Sequence, residues 1–157
     1  MKPAPFALAA LAALLVAAPA DARPLRGGIS MENLGKVLRA KGYPVELGVD
    51  EAGDPKITST YDGVEFEVLC YPNAARKAVC ASIQFSTVFN LDEGTTYERI
   101  NAWNRGRRYG QGWLDEEMDP FMDMSAELER GASTELIEEH LTIWEELIGK
   151  WKEHFGQ

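Results

Sequence analysis

Lys56-Ile57-Thr58-Ser59-Thr60-Tyr61-Asp62-Gly63-Val64-Glu65-Phe66-Glu67-Val68-Leu69-Cys70-Tyr71 is the stretch that decides the fold. Two runs rich in β-branched and aromatic residues meet at Asp62-Gly63, and a two-residue hairpin turn favours that pair because both of its central positions need positive φ. A turn of this length sets Tyr61 opposite Val64 and Ile57 opposite Val68. Val64, Phe66, Val68 and Cys70 then share one face, since side chains alternate along a strand. After a connection over 72–77, a third strand is predicted from Ala78 to Val88, with Val79, Ala81, Ile83 and Phe85 alternating.

Cys70 and Cys80 are the whole supply of cysteine. An even, closely spaced pair predicts a disulfide in an oxidising compartment, and the spacing is neither a zinc nor a thioredoxin-like C-x-x-C. The pair sets two registers against each other. With Cys70 directly opposite Cys80, Val64 and Phe66 face away from Ile83 and Phe85. With the apolar faces matched, the cysteines fall on opposite faces, because a one-residue slip inverts every side chain. A bulge near the loop, or a sheet buried on both faces, reconciles the two.

Outward from this centre the helices are readable. Ser30 is an N-cap, Leu34, Val37 and Leu38 recur at helical spacing, and Gly42 with Pro44 stops the run, so Met31–Lys41 is the first helix. Residues 23–29 read as a loose lead-in, and Val45–Val49 as a short extended piece. Thr95 and Glu98 form a capping box for a second helix from Thr96 to Arg107, with Tyr97, Ile100, Trp103 and Asn104 on its inner stripe. Tyr109–Leu114 and Phe121–Leu128 are two further strands. Gly131 and Ser133 precede a last helix, Thr134–Phe155, whose seam of Ile137, Leu141, Trp144, Ile148, Trp151 and Phe155 steps by three and four. The order α-β-β-β-α-β-β-α is an α+β layer with a largely antiparallel sheet.

At the start, Met1-Lys2, the apolar run Phe6–Ala18 and Ala20-Asp21-Ala22 form the three zones of a secretory signal peptide, cut before Arg23, with Ala18-Pro19-Ala20 as a second cleavage site. At about 1.5 Å per residue the apolar run spans roughly 20 Å, short of the roughly 30 Å of a bilayer core. Residues 1–22 are thus expected to be a leader and 23–157 one domain, periplasmic or secreted, with no membrane span in the mature form. Lys2 and Asp21 cancel, so the net charge of −9 survives cleavage. That charge argues against nucleic acid, whose phosphates must be neutralised by Lys and Arg.

Catalytic and metal templates find no match. His140 and His154 lie nearly four helical turns apart, roughly 21 Å, and cannot share a metal. There is no G-x-S-x-G nucleophile elbow, and Gly106–Gly112 lacks the spacing and the Lys-Ser or Lys-Thr of a phosphate loop. Asp115, Glu117, Asp119 and Asp123 place Pro120 and Ala126 where a calcium loop needs glycine and glutamate, so they read as a solvated turn. No cofactor or metal is expected, and the chain is read as a non-enzyme. What stands out is Ile100-Asn101-Ala102-Trp103-Asn104-Arg105. Helix interiors gain little from asparagine. Asn101, Trp103, Asn104 and Arg105 therefore either fasten helix to sheet or form a contact face for a protein or peptide partner.

Gly42-Tyr43, Asp62-Gly63, the Cys70 and Cys80 strands with Ser82-Ile83-Gln84-Phe85, Ile100 to Arg105, Asp119-Pro120 and the closing aromatic helix together resemble the YbjN family, bacterial chains described as sensory transduction regulators. The resemblance implies a fold like the type III secretion chaperones, small α+β dimers that hold segments of other proteins. It implies no catalytic residues. An exported binding or regulatory module of the bacterial envelope is the expectation that follows, with a homodimer joined through the last helix, or an enzyme with scattered catalytic groups, as rivals.

Overall fold

The computed structural model describes residues 24–157, and the expected leader with its cleavage site lies outside them. The chain runs β1 (Pro24–Arg26), α1 (Met31–Ala40), β2 (Glu46–Val49), β3 (Pro55–Tyr61), β4 (Val64–Asn73), β5 (Arg76–Val88), α2 (Tyr97–Asn104), β6 (Gln111–Leu114), β7 (Pro120–Glu127), β8 (Arg130–Ser133) and α3 (Thr134–Phe155). It is an α+β fold. Six antiparallel strands form the main sheet in the order β2-β3-β4-β5-β7-β6, and β1 pairs with β8 in a ribbon of its own.

The hairpin forms in the predicted register, Tyr61 opposite Val64 and Ile57 opposite Val68, with Asp62 and Gly63 both at positive φ. Ile57, Val64, Phe66, Val68, Cys70, Ile83 and Phe85 are all buried on the face that the helices cover. α3 lies across it. Trp144 packs on Phe66 and Phe85 with ring centroids 6.0 and 5.6 Å apart, and Trp151 meets Phe89 at 6.2 Å. Every residue of the predicted α3 seam is buried, together with Leu147. Leu34 and Leu38 bring α1 onto the same core. Burying side chains of this size contributes roughly 1.5–3 kcal/mol each before conformational entropy is subtracted.

The cysteine conflict is resolved by a bulge. Val68 faces Phe85 and Cys70 faces Ile83, so the apolar faces match, while Tyr71 pairs with Ser82 and Pro72 with Cys80. Ala81 is the extra residue. It carries Cys80 back to the inner face, and Cys70 and Cys80 are bonded with their Cα atoms 5.2 Å apart. The Ala81 carbonyl freed from the ladder accepts the Leu128 N–H at 2.8 Å, and Cys80 exchanges main-chain bonds with Ile29. Val79 and Ala81 consequently leave the predicted alternation, and Cys80 takes the buried place.

Four expectations are corrected. The lead-in is a strand over Pro24–Arg26, held by β8 and by the Arg76 guanidinium, which donates to the carbonyls of Arg26 and Gly27 at 3.3 and 3.2 Å. The second helix is capped by Thr96, whose hydroxyl accepts the Arg99 N–H, and not by a Thr95–Glu98 box. It also ends early, because Arg105 adopts extended backbone and Gly106 follows at φ +76°, a value that glycine reaches without strain. Tyr97, expected inside, is 68% exposed at the first position of α2.

Candidate functional site

The motif on α2 divides by burial. Trp103 is fully buried, with its ring 4.6 Å from that of Trp151 in an edge-to-face arrangement, and its indole N–H donates to the Gly110 carbonyl at 2.6 Å. The indole N–H groups of Trp144 and Trp151, by contrast, find no hydrogen-bond partner among the described residues. The Trp103 bond is therefore a particular feature of this corner. Asn104 is half-buried and uses both ends of its amide on one peptide: its nitrogen donates to the Gly112 carbonyl at 2.9 Å, and its oxygen accepts the Gly112 N–H at 2.8 Å. β6 is the last strand of the sheet, so Asn104 stands where a further strand would stand and covers that edge. Glycine at position 112 lets the two indole rings close onto the strand. A Cβ there would lie 3.0 Å from Trp103 Cδ1 and 3.2 Å from Trp151 Cη2.

Asn101 and Arg105, four residues apart and hence on one side of the helix, are exposed. The structure thus keeps Trp103 and Asn104 as the frame and presents Asn101 and Arg105 to solvent. Beyond Arg105 the chain turns through Gly106 into Arg107-Arg108-Tyr109. The Arg107 guanidinium lies 3.7 Å from the Trp103 ring centroid, and that of Arg108 lies 5.5 Å from Tyr109. From Arg99 to Leu114 the sequence contains four arginines and no carboxylate, in a chain whose net charge is −9. The corner concentrates arginine on an acidic protein, with Asp123 and Glu146 as the carboxylates that line the clefts beside Arg107 and Arg108.

This loop walls a basin of about 590 Å³ whose floor is the open sheet face, with Gln84, Gln111, Asp123 and Ser125 among its lining residues. Asp123 already accepts from the Ser86 hydroxyl at 2.7 Å and the Trp113 indole at 2.6 Å, and Trp113 is stacked on Phe121. The Tyr71 hydroxyl donates to Gln84 Oε1 at 3.1 Å, which leaves the Gln84 amide nitrogen as its donor. A second cleft, of about 630 Å³, opens where the β4–β5 ladder ends at Glu67 and Ser86. Thr87 bridges that gap by donating to the Glu65 carbonyl, and the cleft brings Glu65 and Glu67 beside apolar Val88, Phe89 and Phe121.

The two histidines and the aspartates of the β6–β7 turn have local partners. His154 Nε2 lies 3.0 Å from the Arg99 carbonyl and its ring packs on Trp103 and Phe155, while His140 Nδ1 lies 2.8 Å from the Leu136 carbonyl one turn back. Asp115 accepts the Asp119 N–H, and Asp119 accepts the Leu91 N–H, each at 2.8 Å. Among the described residues no group of three or more His, Cys, Asp or Glu side chains is placed to hold a metal ion. Burial and the Glu145 carboxylate, to which its hydroxyl donates, push the Tyr43 phenol far above its usual range, so it stays neutral as a core tie between α3 and the segment after α1.

Sequence reasoning missed Arg107, Arg108 and the basin they wall. The available signal was the run of arginines without a carboxylate. Compared with known families, residues 30–157 match the YbjN model, described as "Putative bacterial sensory transduction regulator". Neither a curated protein nor a solved structure matches the chain.

Proposed function

Because the chain belongs to the YbjN family, we propose that it is a non-enzymatic regulatory module of the bacterial envelope, exported to the periplasm or beyond, that engages a protein or peptide partner through the α2 corner. Asn101 and Arg105 are the contact residues of this reading; Trp103 and Asn104 hold them in place. The observation that carries it is the division of the motif by burial. The side chains of Asn101 and of the capping residue Arg105 project to solvent beside Ile100 and Trp103, which are buried, and Asn104, which is tied to Gly112, and a pre-ordered surface loses little entropy on binding. The Cys70–Cys80 bond supports an oxidising compartment. No helix among the described residues is long and apolar enough to cross a membrane. The chaperone-like mode of holding partner segments, implied by the family resemblance, belongs to the same proposal.

A photo-crosslinking residue in place of Asn101 tests it in cells. A discrete adduct is expected from position 101 and none from Thr142, exposed on α3. Equal labelling from both positions would contradict the reading.

A homodimer is the second reading, and because the apolar seam of α3 is consumed by the core, we propose a surface other than α3 for it. The favoured surface is β2, where Leu47 is 48% and Val49 62% exposed. The bond from the Asp50 N–H to the Asp54 carbonyl fixes the alternation of the β2–β3 ladder, so the main-chain groups of Leu47 and Val49 point away from β3. Pairing β2 with β2 of a second copy about Leu47 sets Leu47 against Leu47 and Val45 against Val49, with Glu46 opposite Gly48. The register about Gly48 instead opposes Glu46 to Asp50 and is disfavoured by like charge.

A further inference from the structure

The wall of the basin is more ordered than a surface loop needs to be. Trp103 is held by Gly110, Arg107 lies over the Trp103 ring, and Asn104 anchors the far end of the loop at Gly112. An arginine held over an indole face keeps its fork of N–H donors in place, and such a fork matches the geometry of an oxyanion. Arg107 and Arg108 both line the basin. The floor supplies neutral polar groups, Gln84, Gln111 and Ser125, and its one carboxylate, Asp123, already accepts two hydrogen bonds. Tyr109, 40% exposed, adds a ring face at the rim. At about 590 Å³ the space falls within the roughly 300–1,000 Å³ of small-molecule sites, but apart from Met124 and Gly110 its lining side chains carry amide, hydroxyl, guanidinium or carboxylate groups, where those sites are mostly apolar.

We infer that this basin binds a small hydroxyl-rich oxyanion, a sugar-sized molecule carrying one carboxylate or phosphate. Arg107 and Arg108 take the acid group, the amides and Ser125 take hydroxyls, and the ring of Tyr109 covers a C–H face. The inference stands apart from the partner reading, because Asn101 and Arg105 do not line the basin. A ligand here would touch the loop that begins at Arg105, and so lies where an envelope solute can bear on the α2 corner.

Calorimetric titration of the folded, disulfide-intact protein with glucose 6-phosphate, glucuronate, glucose and inorganic phosphate tests it. At least one of the two acid sugars should bind, and which one identifies the acid group as phosphate or carboxylate. Glucose and inorganic phosphate should each bind roughly tenfold more weakly or not at all, having lost one half of the contacts. Arg108→Gln should weaken the acid sugar by a similar factor, with the denaturation midpoint unchanged. The inference is overturned if neither acid sugar binds, if glucose or inorganic phosphate binds as tightly as the acid sugar, or if Arg108→Gln binds as the parent does.

Discussion

The carboxamide of Asn104 donates to and accepts from the peptide of Gly112, which is what a neighbouring strand would do for β6. Replacing it by alanine leaves both main-chain groups of a buried glycine unpaired. Asn104→Ala should therefore lower stability by about 1–3 kcal/mol, read from the midpoint of chemical denaturation, and the Trp103→Ala variant should lose more, about 3–5 kcal/mol, as large core truncations do. An Asn104→Ala midpoint equal to the parent's would mean that water serves Gly112 as well as the amide does. The sequence marked these two residues because asparagine and tryptophan are conspicuous on a short helix. It could not assign their roles. Whether a helical asparagine faces a partner or a strand edge depends on where β6 ends, and that is a tertiary fact.

The two edges of the main sheet are treated differently. Asn104 covers β6, whereas β2 carries four exposed residues with Leu47 and Val49 among them. If β2 pairs with its counterpart in a second copy, sedimentation velocity should show a concentration-dependent dimer. A Leu47→Lys, Val49→Lys double variant should be monomeric with an unchanged denaturation midpoint. A parent that stays monomeric at every concentration tested contradicts that pairing. At this scale the sequence was most readable wherever periodicity ran long. The Asp62-Gly63 hairpin and the whole span of α3 could be placed because two-residue alternation and three-four spacing are local signals. β1 and β8 escaped, being three and four residues long and existing only through a partner more than a hundred residues away. The bulge at Ala81 was anticipated as one way to reconcile the cysteines with the apolar faces. Its position follows from bonds made by Ile29 and Leu128, which the strand's own sequence does not announce.

Over the whole molecule, charge and chemistry are unevenly distributed. A chain of net charge −9 keeps four arginines and no carboxylate between Arg99 and Leu114, and the Cys70–Cys80 bond closes the far end of β4 and β5. A disulfide in a domain of this size is worth roughly 2–3 kcal/mol for so short a loop in the chain-entropy picture, and it persists only where the compartment is oxidising. On the proposal that the chain is exported, the mature protein should begin at Arg23 and take up no iodoacetamide until it is reduced. Intact-mass spectrometry of envelope material reads both at once, and an uncut leader or two alkylated cysteines would place the protein elsewhere. On the proposed reading, the outer half of the α2 motif serves contact and the inner half serves folding. Arg105→Ala, measured for denaturation midpoint and for yield of the adduct crosslinked through position 101, tests it most directly. The account predicts a midpoint within about 0.5 kcal/mol of the parent together with loss of the adduct. An adduct undiminished at an unchanged midpoint, or one that falls only in step with unfolding, would contradict it.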